Sequence, residues 1–387
     1  MAKILCVVYE DPADGHPVGY PRDGVPNLQL YADGQTVPSP ASVDFKPGEL
    51  LGSLAGALGL RGFLAERGHT LVLSSERNGP DSTFEQALAE ADIVIIQACW
   101  PVPLTAERIA RAPNLKLVIT AGTGSDHVDL DEAVRRGLTV AEITQSDSVS
   151  AAEFAVLLVL SLVHNTGPVA GAATHQSLAE RARRAYDLEG MNVGSVGAGR
   201  TGFAFLRRMR PFDVRLHYTD PRRLPLLIEN ELGLTYHPSA AAMAPVCDVV
   251  AIHSPLYAAT ADLFDTAMFE RMKRGAYLVN TAAAAICNAD AVAGALATGQ
   301  LAGFATDAAS PSPSAGLASH LAGATLSAQA RYAAGVREVL ECWFGGEPIR
   351  TRYLIIDRGE PTAVGARSYG LAAPAGVTLR GGRIKPR

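Results

Sequence analysis

The chain has 387 residues, of which 48% are hydrophobic, 19% charged and 6% aromatic. This length exceeds what one hydrophobic core usually spans and predicts two domains or one large α/β unit, which excludes a small disulfide scaffold. The 34 basic and 39 acidic residues give a net charge of −5. That balance argues against a nucleic-acid-binding protein and leaves a small molecule as the expected partner.

The cysteines and the apolar runs indicate a compartment. Cys6, Cys99, Cys247, Cys287 and Cys342 form no Cys-x-x-Cys pair and show no metal-finger spacing, so a reducing cytoplasm is expected. The first apolar run is too short for a signal peptide. No uninterrupted apolar stretch reaches the roughly 20 residues of a membrane span, and no membrane partner is expected.

The first half of the chain alternates strand-like and helix-like runs. An initial strand precedes a Pro-, Gly- and Asp-rich segment over 11–48 that favours irregular structure. Strands are then predicted over 70–74, 93–97 and 115–120, and helices over 50–67 and 84–90. This alternation is typical of a βα fold.

A second series of the same kind follows. It begins with an apolar helix over 153–163 and continues with strands over 192–196, 215–218, 248–253, 276–280 and 303–306. Continuous apolar strands joined by helices predict a parallel sheet covered on both faces. The sequence thus predicts two doubly wound α/β domains that divide near 147–150, with a helix over 324–344 returning the chain to the first domain.

A glycine-rich segment follows the predicted strand over 192–196. Gly197, Gly199 and Gly202 form the pattern Gly-x-Gly-x-x-Gly at the start of a predicted helix. Such a pattern permits a tight turn, lets the backbone approach a pyrophosphate and places helix N–H groups near the phosphates. The segment predicts a dinucleotide-binding site, and a glycine turn that binds nothing is the structural alternative.

An acidic residue stands where such a site needs one. Asp220 follows the predicted strand over 215–218 and lies twenty-one residues beyond Gly199. A carboxylate there accepts hydrogen bonds from the adenosine ribose and repels a 2′-phosphate. NAD is therefore the expected cofactor, while Arg222 and Arg223 leave some room for NADP.

Several separated segments carry a family resemblance. Residues 122–130, 185–189, 274–282 and 328–335 resemble NAD-dependent formate dehydrogenases of the D-2-hydroxyacid dehydrogenase superfamily, and the resemblance runs from residue 1 to about 369. It implies a homodimer of two Rossmann-like domains. It further implies that the substrate domain is split over 1–147 and 322–387, with an NAD-binding domain over 148–321 inserted in it. The reaction it implies is hydride transfer between a substrate and the nicotinamide.

The cofactor side of this resemblance is nearly complete. Asp220, Pro255, Thr281 and Asp307 occupy positions at which the family contacts NAD. The predicted cofactor-binding residues are Gly197, Gly199, Arg200, Thr201, Gly202, Asp220, Ser148, Pro255, Thr281 and Asp307.

The departures from the family fall on the substrate side. The arginine with which the family holds a carboxylate aligns with Ala283, and the family's asparagine aligns with Asp147. An ionised Asp147 repels an anion instead of donating to it. An isoleucine of the family aligns with Thr123, and its Pro-Phe-Trp wall aligns with residues 98–100, which include Cys99. We expect a larger, more polar pocket that turns over formate poorly.

The remaining catalytic candidates follow from the same resemblance. The family's histidine aligns with His320, a general acid or base suited to neutral pH, and its glutamine aligns with Ser312. The candidates are therefore His320, Asp147, Thr123, Cys99 and Ser312. Helix capping is the structural alternative for His320 and Asp147, and pocket lining is the alternative for Cys99.

Neighbouring acidic and histidine residues raise the question of a metal. Asp126, His127 and Asp129 lie close in sequence, but such groups in a turn are more often structural, and no metal is expected.

The sequence thus predicts a cytoplasmic, homodimeric NAD-dependent oxidoreductase of the formate dehydrogenase type whose native substrate is not formate. Three alternatives stay open. Tightly bound NAD can oxidise a substrate transiently during an elimination or epimerisation, the chain can be a non-catalytic NAD-binding protein, or it can be an ordinary formate dehydrogenase.

Overall fold

The computed structural model describes residues 1–8, 59–76, 79, 81–97, 102–166, 185–256, 259–307, 321–323, 325–369 and 371. The irregular segment predicted over 11–48 lies outside these residues. The chain divides into two compact units, the first formed by Met1–Asp147 with Thr325–Arg387 and the second by Ser148–Ala324.

Strands and helices alternate through both units. The strands are β1 (Lys3–Val7), β2 (Thr70–Ser74), β3 (Ile93–Gln97), β4 (Leu117–Ala121), β5 (Thr139–Glu142), β6 (Asn192–Val196), β7 (Arg215–Thr219), β8 (Leu234–Tyr236), β9 (Val249–Ile252), β10 (Ala276–Asn280), β11 (Leu301–Thr306), β12 (Leu354–Asp357) and β13 (Glu360–Pro361). The helices are α1 (Leu60–Glu66), α2 (Thr83–Leu88), α3 (Ala106–Ala110), α4 (Leu130–Arg135), α5 (Ser148–Val163), α6 (Arg200–Met209), α7 (Leu226–Leu232), α8 (Ala240–Met243), α9 (Thr266–Arg271), α10 (Ala289–Ala297), α11 (Leu326–Gly345) and α12 (Ala363–Tyr369).

The first unit is a doubly wound sheet in the order β13-β12-β5-β4-β3-β1-β2. Strands β1 to β5 are parallel, whereas β12 and β13 add an antiparallel edge. The residues of β3 and β4 are buried throughout, as expected for parallel strands covered on both faces. Helix α11 covers one face with Val336, Val339 and Leu340. Residues from both ends of the chain therefore form one hydrophobic core.

The second unit is a parallel sheet in the order β11-β10-β9-β6-β7-β8. Its first strand, β6, lies between β7 and β9, so the strand order reverses direction there. In open α/β sheets, ligands bind at the carboxyl ends of the strands beside such a reversal. The architecture thus points to the turn after β6.

The predicted α/β fold with two doubly wound parallel sheets is confirmed. Sequence patterns missed the short strands β5, β8, β12 and β13, of four, three, four and two residues, because such runs are too brief to show a period. In the part of the chain that the structure describes, no helix has the length and hydropathy of a membrane span.

Candidate functional site

The carboxyl edge of the second sheet gathers the predicted cofactor residues. Val196 pairs with both Thr219 and Ile252, and Asn280 pairs with both Ile252 and Thr306. Because these strand ends are in register, the residues that follow them are brought to one edge. They are Gly197, Asp220, His253, Thr281 and Asp307.

Two glycines of the motif are required by packing within the protein. Gly197 has a φ of 95°, and a Cβ there would lie 2.9 Å from the carbonyl oxygen of His253. At Gly202, a Cβ would lie 2.0 Å from the carbonyl oxygen of Gly197. Only glycine therefore lets α6 pack so closely against the turn that precedes it.

The third glycine faces open space. A Cβ at Gly199 would meet no atom of the described chain within 4 Å. Gly199 is also the N-cap of α6, and it has no side chain with which to occupy the first amides of the helix. Helix N-terminal amides beside open space are what a pyrophosphate requires, and Arg200 and Thr201 lie in this first turn.

Asp220 is fixed beside this turn. Its Oδ2 accepts a hydrogen bond from the Ala198 amide at 2.9 Å, and its Oδ1 accepts one from the Arg222 amide at 2.8 Å. The two backbone donors orient the carboxylate, which keeps further lone pairs for ribose hydroxyls. The predicted acid and the glycine turn thus form one arrangement.

His253 belongs to the same edge, although the sequence analysis did not single it out. Its ring packs against Phe205 with centroids 4.9 Å apart, and its Nδ1 lies 3.4 Å from the Thr281 hydroxyl. Burial lowers the pKa of His253 to about 3, so the imidazole is neutral and orients Thr281 without adding charge. The position of His253 directly after an apolar strand is the sequence feature that could have identified it as a site residue.

The loop after β10 is held from within. The buried Asn280 donates to the Ala283 carbonyl at 3.1 Å and accepts from the Ala282 amide at 2.9 Å. Since both bonds involve backbone groups, they fix the loop whatever side chain stands at position 283. Ala283 itself is half-buried and presents only a methyl group.

Thr123 and Asp147, predicted as substrate-side residues, meet in the first unit. They follow β4 and β5, and the Thr123 hydroxyl donates to Asp147 Oδ1 at 3.1 Å. Thr123 is exposed and Asp147 half-buried. The pair therefore presents a hydrogen-bond acceptor and a negative charge.

A buried carboxyl supports the loop that carries Thr123. Glu142 accepts hydrogen bonds from the Tyr369 and Ser125 hydroxyls, and the Ser125 amide donates to the Tyr369 oxygen at 2.7 Å. Burial raises the pKa of Glu142, these hydrogen bonds oppose the rise, and the charge of Asp147 adds to it. Sequence reasoning missed this network.

An arginine supports the loop that carries Asp147. The buried Arg331 of α11 donates from Nη1 to the Ser146 carbonyl at 2.9 Å, and the Ser146 hydroxyl donates to the Ile143 carbonyl at 2.9 Å. Gln145, between them, has a φ of 77°, a conformation uncommon outside glycine. The loop is thus fixed from its own backbone and from α11.

Comparison with known proteins decides the family. The family model described as D-isomer specific 2-hydroxyacid dehydrogenase, NAD binding domain, matches residues 156–322. The whole chain is 50% identical to the formate dehydrogenase of Pseudomonas sp. (strain 101), of which it covers 99%. The chain belongs to the NAD-dependent formate dehydrogenase family.

Solved structures of this formate dehydrogenase family share the fold. A Granulicella m. formate dehydrogenase is 52% identical, with a TM-score of 0.84, and the match covers 94% of this chain and 100% of that one. The NAD-dependent formate dehydrogenase from Staphylococcus aureus, solved in complex with NAD, is 32% identical, with a TM-score of 0.70, over 92% of this chain and 99% of that one. The chain is an oxidoreductase whose cofactor is NAD, and the Gly199 space and Asp220 fit that cofactor.

The other residues predicted for the formate dehydrogenase site have different outcomes. Ser148 starts α5 and is buried, the Pro255 carbonyl accepts from the Thr260 hydroxyl at 2.8 Å, and Asp307 is buried after β11. The roles of these residues stay predictions. Cys99, Ser312 and His320 lie outside the described residues.

Possible metal ligands were compared among the residues that the structure describes. There, no three His, Cys, Asp or Glu side chains are grouped closely enough to hold a metal ion. His127, next to Asp126, is half-buried, and burial lowers its pKa to about 4.

Proposed function

We propose that this formate dehydrogenase relative transfers a hydride between NAD and a small-molecule substrate other than formate. The observation that carries the proposal is the hydrogen bond from Thr123 to Asp147. It shows a carboxylate acting as an acceptor where the family resemblance implies an amide that donates to formate.

The change at position 283 supports the same conclusion. The resemblance implies an arginine there, whereas Ala283 has neither charge nor donor. Losing one charged partner of a carboxylate in a water-excluded site costs on the order of several kcal/mol, which is roughly 10²-fold or more in rate. A substrate that has no carboxylate and donates a hydrogen bond to Asp147 does not need an arginine at position 283.

The two units have separate roles in this proposal. The second unit grips NAD through the turn after β6 and through Asp220, and bound NAD supplies the hydride acceptor. The first unit is the substrate domain and contributes Thr123 and Asp147. Cys99, Ser312 and His320 are proposed as further substrate-side residues. The chain acts in the cytoplasm as a homodimer.

Ordinary formate oxidation is the second candidate. The observation in its favour is the 50% identity with the formate dehydrogenase of Pseudomonas sp. (strain 101) over the whole chain. Under this candidate, residues other than Ala283 and Asp147 hold the anion.

Steady-state kinetics separates the two candidates. The purified protein is mixed with NAD and formate, and NADH absorbance is compared with that of the Pseudomonas enzyme under the same conditions. We expect kcat/KM for formate to be lower by roughly 10²-fold or more, with NAD affinity retained in calorimetry. Comparable turnover of formate would establish the second candidate and refute the first.

A further inference from the structure

Two arginines follow the ribose-binding carboxylate, and they have different environments. Arg222 is exposed, and within the described residues its guanidinium has no hydrogen-bond or ion-pair partner. Arg223 instead forms a two-point ion pair with Glu229. Its Nε lies 2.9 Å from Oε1 and its Nη2 lies 2.8 Å from Oε2.

Glu229 is held firmly in this arrangement. It lies on α7 with 5% exposure, and its Oε1 also accepts a hydrogen bond from the Tyr218 hydroxyl. That hydroxyl in turn accepts from the Leu224 amide at 2.9 Å. The hydrogen bonds from Arg223 and Tyr218 hold the pKa of the Glu229 carboxyl below its usual range, so it is ionised at neutral pH.

An aromatic ring adds a second restraint on Arg223. The guanidinium carbon lies 5.1 Å from the centroid of the Tyr236 ring, which is within cation–π distance. Arg223 is thus held by a carboxylate at its donors and by a ring beside it. The planar, two-point geometry is the strongest form of carboxylate pairing available to arginine.

The Arg223–Glu229 pair lies close to the end of β7, where an arginine can affect cofactor choice. An arginine close to the end of the second strand is what sites for NADP use to bind the 2′-phosphate. To bind a phosphate, Arg223 would have to leave Glu229 and strand a buried charge with a single hydroxyl donor. Arg223 is 54% exposed but Glu229 only 5%, so losing the cation would leave the Glu229 charge largely uncompensated, which is unfavourable.

We propose that Glu229 is a second determinant of cofactor specificity, which acts by withholding Arg223 from the 2′-phosphate of NADP. Asp220 repels that phosphate directly, whereas Glu229 occupies Arg223, one of the two arginines that follow Asp220. The preference for NAD is therefore set by two carboxylates, one at the ribose and one on α7.

Calorimetric binding of NADP and NAD to the full chain tests this proposal. In an Asp220→Ser background, Glu229→Gln should tighten NADP binding by about tenfold and leave NAD affinity unchanged. Adding Arg223→Met to that double variant should abolish the gain. Tyr218→Phe is the matched control, because it removes the other partner of Glu229 while leaving the ion pair, and NADP affinity should not change.

Two results would overturn the proposal. One is an unchanged NADP affinity in Asp220→Ser/Glu229→Gln, and the other is a gain that survives the removal of Arg223. Should Glu229→Gln not fold, Arg223→Met in the Asp220→Ser background decides the question. With Glu229 intact, that change should not alter NADP affinity, and a tenfold loss would show that Arg223 already reaches the phosphate.

Discussion

At the scale of single residues, two glycines after β6 have different roles, one in folding and one in NAD binding. Gly202→Ala should cost about 3 kcal/mol of stability, because its Cβ would lie 2.0 Å from a carbonyl oxygen. Gly199→Ala should leave the free energy of unfolding nearly unchanged but weaken NAD binding by about tenfold, since its methyl group enters the space assigned to the pyrophosphate. Chemical denaturation and calorimetry measure the two effects.

Gly294→Ala is the matched control for this pair. Gly294 lies inside α10, and a Cβ there would meet nothing of the described chain within 4 Å. We expect it to keep NAD affinity and to raise the free energy of unfolding by about 0.5–1 kcal/mol. Unchanged NAD affinity in folded Gly199→Ala would show that the pyrophosphate binds elsewhere.

The two departures from the family at positions 283 and 147 can be reversed by mutation. Ala283→Arg with Asp147→Asn should raise kcat/KM for formate by roughly 10²-fold, because a cation and an amide donor replace a methyl group and a repelling charge. Asn280 holds the loop by its backbone, so the new arginine side chain starts from a fixed position.

A neighbouring position tests whether this effect is local. Ala284 is exposed and adjacent, and Ala284→Arg adds the same charge without the same placement, so it should not raise formate turnover. If the double variant folds, binds NAD and still shows no increase, the assignment of positions 147 and 283 to the substrate is wrong.

A site residue could be predicted from the sequence only where the pattern that identifies it lies within one short segment. Gly197, Gly199, Gly202 and Asp220 belong to one βαβ segment, whose spacing is readable in sequence. Glu142 is bonded to a tyrosine 227 residues away, and no local pattern reports such a pair. The contact between Thr123 and Asp147 required knowing that β4 and β5 are neighbours.

At the scale of elements, the Tyr369 hydroxyl ties the end of α12 to the first sheet. Tyr369 donates to Glu142 and accepts from the Ser125 amide, so Tyr369→Phe leaves that amide without its acceptor and leaves Glu142 with one donor fewer. We expect a loss of about 1–3 kcal/mol in the free energy of unfolding, measured by denaturant titration. Tyr277→Phe is the control, since among the described residues the Tyr277 hydroxyl has no hydrogen bond. Equal losses in both variants would contradict a specific role for Tyr369.

The same network gives a pH dependence of defined sign. Burial raises the pKa of Glu142 above its usual 4.5, so in the folded protein this group keeps its proton at pH values where the unfolded chain has lost it. Its contribution to stability is therefore complete below pH 4.5 and decreases as the pH rises toward the folded-state pKa. Glu142→Gln cannot titrate and should flatten this part of the stability profile. A profile that does not change in the variant would show that other groups cause the slope.

Fold prediction succeeded for elements with a long apolar run and failed for short ones. The five-residue strands β3 and β10 are buried along their length and were predicted at their observed bounds. The four residues of β5 end in Glu142, a residue that normally indicates a surface position. That carboxyl is buried because a distant tyrosine and serine satisfy it.

At the scale of the whole molecule, the exposed apolar surface of α5 bears on the proposed homodimer. Its sixteen residues are apolar almost throughout, and its one charged residue, Glu153, pairs with Arg208. A helix that is apolar on all sides is normally buried on all sides. Yet Leu157 is 40% exposed, and Phe154 and Leu160 are only half-buried. A second copy of the chain that covers this surface is the simplest way to bury it, which supports the proposed homodimer.

Substitution at this surface tests the assembly. Leu157→Glu places a charge in the proposed dimer contact and should shift the protein from dimer to monomer in sedimentation velocity, because an unpaired buried charge is costly. Leu296→Glu on α10 is the matched control, since Leu296 has a similar exposure of 41% and lies on a different helix. We expect that variant to sediment as the unmodified protein does. A dimer that persists in Leu157→Glu, or a parent protein that is already monomeric, would rule out α5 as the contact.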